Sequence, residues 1–394
     1  MREITHSVPQ QIRVSATLDV QSVEQGLGEL WKQNTGDTNV EEDGAVMRAR
    51  VLNLLVYVSS AASLDEVNKL LSEITSAHPC RVIVMLAERE AADQDIEMFI
   101  SAHCLAQVGG GHKNLCGEQV TLKARGRFTV ELPSAAIPLI VPDLPIFLWW
   151  RDAPRLHDQI FENLSRAADR VVIDSADFGQ PYDDVRELVA LLQRRRAEHA
   201  AISDLNWARL TSWRTLLASF YDVEEYCAAL SNINRVRIEY VPHSFAPGLV
   251  APKALILAGW LASRLGWHAV PERSLKQDGQ GDASHAAATF EKDGRQIAVE
   301  FSGVERDQRM QGWIARIELS AEETDTAGPQ KFIVLRSEDG RYLETEVTGD
   351  GEARSARTLI GGDKTEAELV ERELEIISHD RIYEEAITAA ASML

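Results

Sequence analysis

Four short apolar runs, Val51–Val58, Val82–Ala87, Ile146–Trp150 and Val171–Ile173, limit what this chain can fold into. Each is nearly continuous in Val, Ile and Leu rather than alternating with polar residues, as expected of strands covered on both faces. Helix-like segments separate them. Ser63-Leu-Asp-Glu66 resembles a capping start before Val67, Leu70, Leu71 and Ile74, and that pattern stops ahead of His78-Pro79. Further helical patterns cover 93–107, 155–168 and a stretch from Pro181 to about residue 198. Such strand–helix alternation predicts an α/β module with a mainly parallel sheet and flanking helices. Residues 116–131 alternate instead (Val120, Leu122, Phe128, Val130) and read as an antiparallel addition.

The flanks of this module differ from it. Residues 1–43 are polar, with one amphipathic helix expected over 22–33 (Val23, Leu27, Leu30, Trp31) and a linker at 34–43. After a helical stretch over 204–230, a second pattern begins near 235. There, Arg235–Val241 alternates as a strand, and 252–266 is an apolar helix entered at Pro252 and ended by Gly266. The runs 286–291, 296–302, 312–319, 331–337 and 341–348 alternate between turn signals such as Asp293-Gly294 and Asp339-Gly340, which predicts an antiparallel meander. Helices are expected over 365–378 and 381–393. The expected organisation is a polar segment 1–43, an α/β domain 44–232 with a helical extension, and a smaller α+β domain 233–394.

Charge narrows the function. With 61 acidic and 41 basic side chains the net charge is −20, which repels nucleic-acid phosphates and anionic lipid surfaces. The apolar stretches 135–150 and 254–263 are broken or flanked by Pro and charge, and the first thirty residues lack an apolar signal core. A cytoplasmic protein that binds neither nucleic acid nor membrane is expected. Four cysteines in 394 residues do not form a disulfide scaffold.

Familiar catalytic motifs are missing from the sequence: no G-x-G-x-x-G, P-loop, H-E-x-x-H or G-x-S-x-G occurs. The turn after the first strand, Ser59-Ser-Ala-Ala-Ser63, has no glycine to admit a pyrophosphate. Gly109-Gly110-Gly111 could cradle an anion, but a link ending a helix is the plainer reading. His103, Cys104, His112 and Cys116 could supply zinc ligands, yet their spacing is not that of a structural site. Core packing is the default for Cys80 and Cys227, and a solvated helix face for Arg194-Arg195-Arg196. No catalytic residue, cofactor or metal is expected.

Tryptophan paired with arginine is more informative. The pairing recurs at Trp150-Arg151, Trp207/Arg209 and Trp213-Arg214. Each tryptophan alone reads as core, whereas Trp and Arg together are the residues that anchor protein interfaces. Asp204 and Asn206 fit helix caps.

Leu144-Pro-Ile-Phe-Leu-Trp-Trp-Arg151 and Asp204-Leu-Asn-Trp-Ala-Arg-Leu-Thr-Ser-Trp-Arg214 resemble the two signature stretches of the OpcA family, the assembly or effector proteins of glucose-6-phosphate dehydrogenase. His78-Pro-Cys-Arg81 and Cys116-Gly-Glu-Gln-Val120 resemble its intermediate motifs, and the likeness runs from about residue 20 to 270. The resemblance implies a non-catalytic protein that binds glucose-6-phosphate dehydrogenase, favours its active oligomer and supports NADPH supply in the oxidative pentose phosphate pathway. The candidate partner contacts are Trp150, Arg151, Trp207, Arg209, Trp213 and Arg214, the exposed members above all. Cyanobacterial members of the family are linked to redox control through cysteines, and no cysteine follows Cys227 here. A different class also fits the strands: an α/β enzyme or sensor binding a sugar phosphate or nucleotide at their carboxyl ends, for which Arg81, Arg151 and His78, near strand ends, are the available cations.

Overall fold

The computed structural model describes residues 12–14, 20–35, 50–105, 115–155, 157–195, 201–246, 248–277, 285–323, 328–349, 352–360 and 364–394. The first elements are β1 (Ile12–Val14), α1 (Val20–Thr35), β2 (Leu52–Val58), α2 (Ala61–Ala77), β3 (Cys80–Glu88), β4 (Gln94–Leu105) and β5 (Leu115–Arg125). They are followed by α3 (Leu132–Ala136), β6 (Ile146–Trp150), α4 (Gln159–Ala167), β7 (Arg170–Ile173), α5 (Pro181–Arg195) and β8 (Ala201–Asp204). The strands form one sheet in the order β1-β4-β5-β3-β2-β6-β7-β8.

The four apolar runs are β2, β3, β6 and β7, paired in parallel and almost wholly buried, as continuous apolar strands should be. The chain builds outward from β2 on one side through β3 and β5, then returns to place β6 on the other side. Strand order therefore reverses at β2, the point in open parallel sheets where ligand crevices form.

Three expectations change here. Residues 93–107 were expected to be helical, but 94–105 form β4, antiparallel to β5. The reason is visible locally: Ile96, Met98 and Ile100 are buried while Asp95 is exposed and Glu97 and Phe99 are half-buried, a period of two. β5 is antiparallel to β4, as expected for 116–131, but parallel to β3, and only its first part is strand. The start of α2 also lies earlier than the sequence pattern suggested. Ser60 is extended and its hydroxyl accepts from the Ser63 N–H at 3.1 Å, capping the helix.

Beyond β8 come α6 (Leu205–Arg209), α7 (Thr211–Ser219), α8 (Glu224–Leu230), β9 (Ile233–Tyr240) and α9 (Pro252–Leu265). The strands β10 (His268–Ala269), β11 (Lys276–Gln277), β12 (His285–Lys292), β13 (Arg295–Gly303), β14 (Ile314–Ala321), β15 (Gln330–Arg336), β16 (Tyr342–Gly349) and β17 (Glu352–Ile360) follow. Helices α10 (Glu366–Glu373) and α11 (Arg381–Ser392) close the described chain.

A second sheet runs β10-β12-β13-β9-β14-β15-β16-β17, with β11 on β12. Its pairs are antiparallel except β9 with β13. The predicted meander is thus present, and its hairpin at Asp293-Gly294 has positive φ at both residues (52° and 78°), as a two-residue turn of the primed type requires. α9 is entered at Pro252 and ends at Gly266 with φ 69°, as its sequence predicts. Gly259 of α9 packs against α11, where an added Cβ would stand 2.1 Å from the Ala386 carbonyl oxygen. Only glycine permits that approach.

The contacts divide the chain into two units. One comprises 1–173, 195–202 and 365–378; the other comprises 174–194, 203–364 and 379–394. The chain passes between them more than once. Among the described residues no helix is long and apolar enough to cross a membrane.

Candidate functional site

The first signature stretch belongs to the unit containing the parallel sheet. Trp149 and Trp150 end β6, and each is 1% exposed. Trp150 stacks on Tyr57 of β2 (centroids 3.7 Å apart, planes at 7°) and meets Phe161 edge-on at 5.0 Å. Arg151 lies over Trp149, 5.1 Å from its centroid. It donates to Glu366 of α10 at 2.7 Å and stands 3.8 Å from Glu66 of α2.

Arg170, at the start of β7, donates at 2.6 Å both to Glu373 and to the Ser378 carbonyl. Two arginines thus pin α10 within this unit, where it packs along α2. Arg81 of β3 is buried with Glu118 of β5 at 2.7 Å and with Glu24 at 2.6 Å, and Arg50 joins Glu118 at 2.6 Å. Burial alone would lower the Arg81 pKa, but the hydrogen bonds and charges of Glu24 and Glu118 outweigh it and raise it.

The second signature stretch organises the other unit. Asp204 is fully buried and caps α6. One oxygen accepts the Ser175 and Asn206 N–H groups (3.0 and 2.9 Å), and the other accepts the Tyr383 hydroxyl of α11 (3.1 Å). Burial first, then the nearby Asp174 charge, push its pKa up to about 6 against the hydrogen bonds that lower it.

Arg209 holds Asp174 through two parallel bonds of 2.8 and 2.7 Å. The Trp207 indole N–H donates to Asp380, the N-cap of α11, at 2.8 Å. Arg214 lies 3.4 Å from the Trp207 centroid, and burial lowers its pKa to about 10. Trp213 is 1% exposed.

Of the candidates expected to be exposed, Trp150 is instead buried. Trp150, Trp207 and Trp213 are core residues, since strand and helix geometry turns each ring inward. Arg151, Arg209 and Arg214 are half-buried and engaged within their own units. Sequence reasoning missed Tyr383, Asp380 and Glu373, because their partners lie roughly two hundred residues away and only folding unites them.

The minor candidates resolve as follows. Gly109–Gly111 and His112 lie outside the described residues. His103 and Cys104 sit on a strand rather than a helix, with Cys104 opposite Cys116 in backbone register. Among the described residues no group of three or more His, Cys, Asp or Glu is placed to hold a metal ion. Arg196 also lies outside the described residues, whereas Arg194 is on an exposed helix position. Cys80 is buried, and desolvation pushes its thiol pKa up to about 12. Cys227 was expected in a core but is exposed, on the short, mostly exposed α8.

One cleft in the parallel-sheet unit has the size of a small-molecule site. It measures about 610 Å³ and opens at the carboxyl ends of β2, β3 and β6, lined by Ser59, Arg89, Trp150, Asp152, Arg155 and Asp158 among others. Arg89 donates to the Tyr57 hydroxyl and to Asp158. Asp152 accepts from Ser59 at 2.9 Å, and burial raises its pKa despite that bond.

The two signature stretches fall in two matched segments. The model of the glucose-6-phosphate dehydrogenase subunit N-terminal domain, OpcA type, matches residues 71–190, and that of the C-terminal domain matches 200–387. The chain belongs to the OpcA family. The OxPP cycle protein OpcA of Nostoc punctiforme is 28% identical over 335 residues, covering 82% of this chain and 67% of that protein. The corresponding protein of Synechocystis is 27% identical over 322 residues, covering 82% and 65%. The chain thus spans about two thirds of the length of these family members.

Among solved structures, myo-inositol dehydrogenase from Lactobacillus casei, in complex with NAD(H) and myo-inositol, aligns with a TM-score of 0.43 at 12% identity, covering 87% and 93% of the two chains. The yvaA oxidoreductase of Bacillus subtilis aligns with a TM-score of 0.43 at 9% identity, covering 87% and 94%. Likeness at this level carries no chemistry over to this chain.

Proposed function

We propose that this protein is a non-catalytic partner of glucose-6-phosphate dehydrogenase that binds the enzyme in the cytoplasm and favours its active oligomer. The observation that carries this reading is the pair of family matches, which together take in both signature stretches. An activator needs a surface that binds one state of its target better than the others. A preference of about 1.4 kcal/mol shifts such an equilibrium tenfold.

In this reading Arg151, Arg209 and Arg214 remain the candidate contacts at the surface, with Trp149 beneath Arg151 and Trp207 beneath Arg214, while Trp150 and Trp213 are buried in the core. Arg151→Ala should weaken activation by severalfold while the chain stays folded, because the losses are peripheral ones: the half-buried ion pair with Glu366, the longer approach to Glu66 and the contact over Trp149. The test is NADPH production by glucose-6-phosphate dehydrogenase from the same source, with and without this protein, across enzyme and substrate concentrations. A saturable rise at defined stoichiometry supports the proposal. No rise, and no complex on sizing, would sink it.

A further inference from the structure

We propose that the cleft at the carboxyl ends of β2, β3 and β6 binds a polyhydroxylated ring of the sugar class. Its place is the one where strand order reverses about β2, and its volume of about 610 Å³ suits a small ligand with ordered water.

The lining selects among ligand classes. A dinucleotide is disfavoured, because the turn after β2 lacks glycine and Ser60 already caps α2 through the Ser63 N–H. A metal ion is disfavoured too, since no group of three suitable side chains stands together among the described residues.

What the cleft offers is hydrogen bonding from a mostly polar lining. Trp150 lines it, is 1% exposed, and its indole N–H is buried with no hydrogen-bond partner in the protein. A buried orphan donor is costly unless an acceptor reaches it. Asp152 presents a carboxylate bonded to Ser59, and Asp158 is neutralised by Arg89. Carboxylates that accept hydroxyl protons and an indole N–H that can donate match the hydroxyls of a sugar. The net charge of the lining does not favour a multiply charged anion, because Glu88, Glu90, Asp152 and Asp158 outnumber Arg89 and Arg155.

The proposal is independent of the association with the dehydrogenase, and its test uses this protein alone. The full chain is titrated calorimetrically with D-glucose, glucose 6-phosphate, inorganic phosphate and NADP. Saturable binding of glucose, or of glucose and its 6-phosphate alike, is expected. Asp152→Asn and Ser59→Ala, checked for folding by circular dichroism, should weaken it by about tenfold, the scale of a lost charge-assisted hydrogen bond. Trp150→Phe, which removes the indole N–H and keeps an aromatic ring against Tyr57, should weaken it as well.

Three results would overturn the proposal. They are no heat with either sugar, binding confined to NADP, and binding of the 6-phosphate alone that inorganic phosphate displaces. Affinity unchanged in both folded Asp152→Asn and Ser59→Ala would also refute it.

Discussion

The two units solve the same problem, a charged side chain taken out of water, in opposite ways. In the parallel-sheet unit Arg81 and Glu118 are both 2% exposed at their side chains, and they face each other with Arg50 and Glu24 closing the group. Charge meets charge, so Arg81 is held more firmly protonated than in water. In the other unit Asp204 is equally buried but meets backbone N–H groups and a tyrosine hydroxyl, with the like charge of Asp174 nearby. Neutral donors compensate desolvation incompletely, and its pKa rises to about 6. Burial alone does not decide the state of a group; the partner does.

The largest test breaks the paired group. Glu118→Ala leaves the Arg81 and Arg50 guanidiniums short of a buried partner and should cost about 3–5 kcal/mol in urea unfolding. Arg81→Met with Glu118→Leu removes both charges and should cost clearly less. If the double variant is the worse of the two, the pair is stabilising in its own right and the comparison fails.

A middle effect belongs to Asp204. Folding raises its pKa from 3.8 to about 6, so between those values the folded chain keeps a proton that the unfolded chain has released. Its contribution is therefore full below about pH 4, is lost as pH rises to about 6, and stays lost above. Asp204→Asn preserves the acceptor for Ser175 and Asn206 and removes the charge. It should abolish a decline on the order of 1–3 kcal/mol across that window. A decline that persists unchanged in the variant would place its source elsewhere.

The smallest effect touches reactivity rather than stability. Among the described residues Cys227 is exposed and Cys80 is buried with its pKa near 12. Iodoacetamide should modify Cys227 in the folded protein and reach Cys80 only on unfolding. Equal labelling of both would mean that the sheet around β3 opens far more readily than its burial implies.

Much of the fold was legible because its signals are local. Continuous Val, Ile and Leu runs mark β2, β3, β6 and β7, and Asp293-Gly294 marks a hairpin. At 93–107 the local signal was present but read with the wrong period, since Ile96, Met98 and Ile100 alternate. The signature stretches stood out in the sequence as Trp paired with Arg, yet composition treats a buried ring and an exposed one alike.

By itself, then, the sequence determined which segments become strands and helices, the acidic surface charge and the family to which the chain belongs. These depend on neighbours a few residues apart or on composition. Only the tertiary structure decided that Arg151 and Arg170 hold α10, that Asp204 joins Tyr383, and that Trp150 is buried beside a cleft with its N–H unpaired. Those contacts join residues up to 215 positions apart. The closing of such long loops is settled by packing the whole core, and no local preference records it.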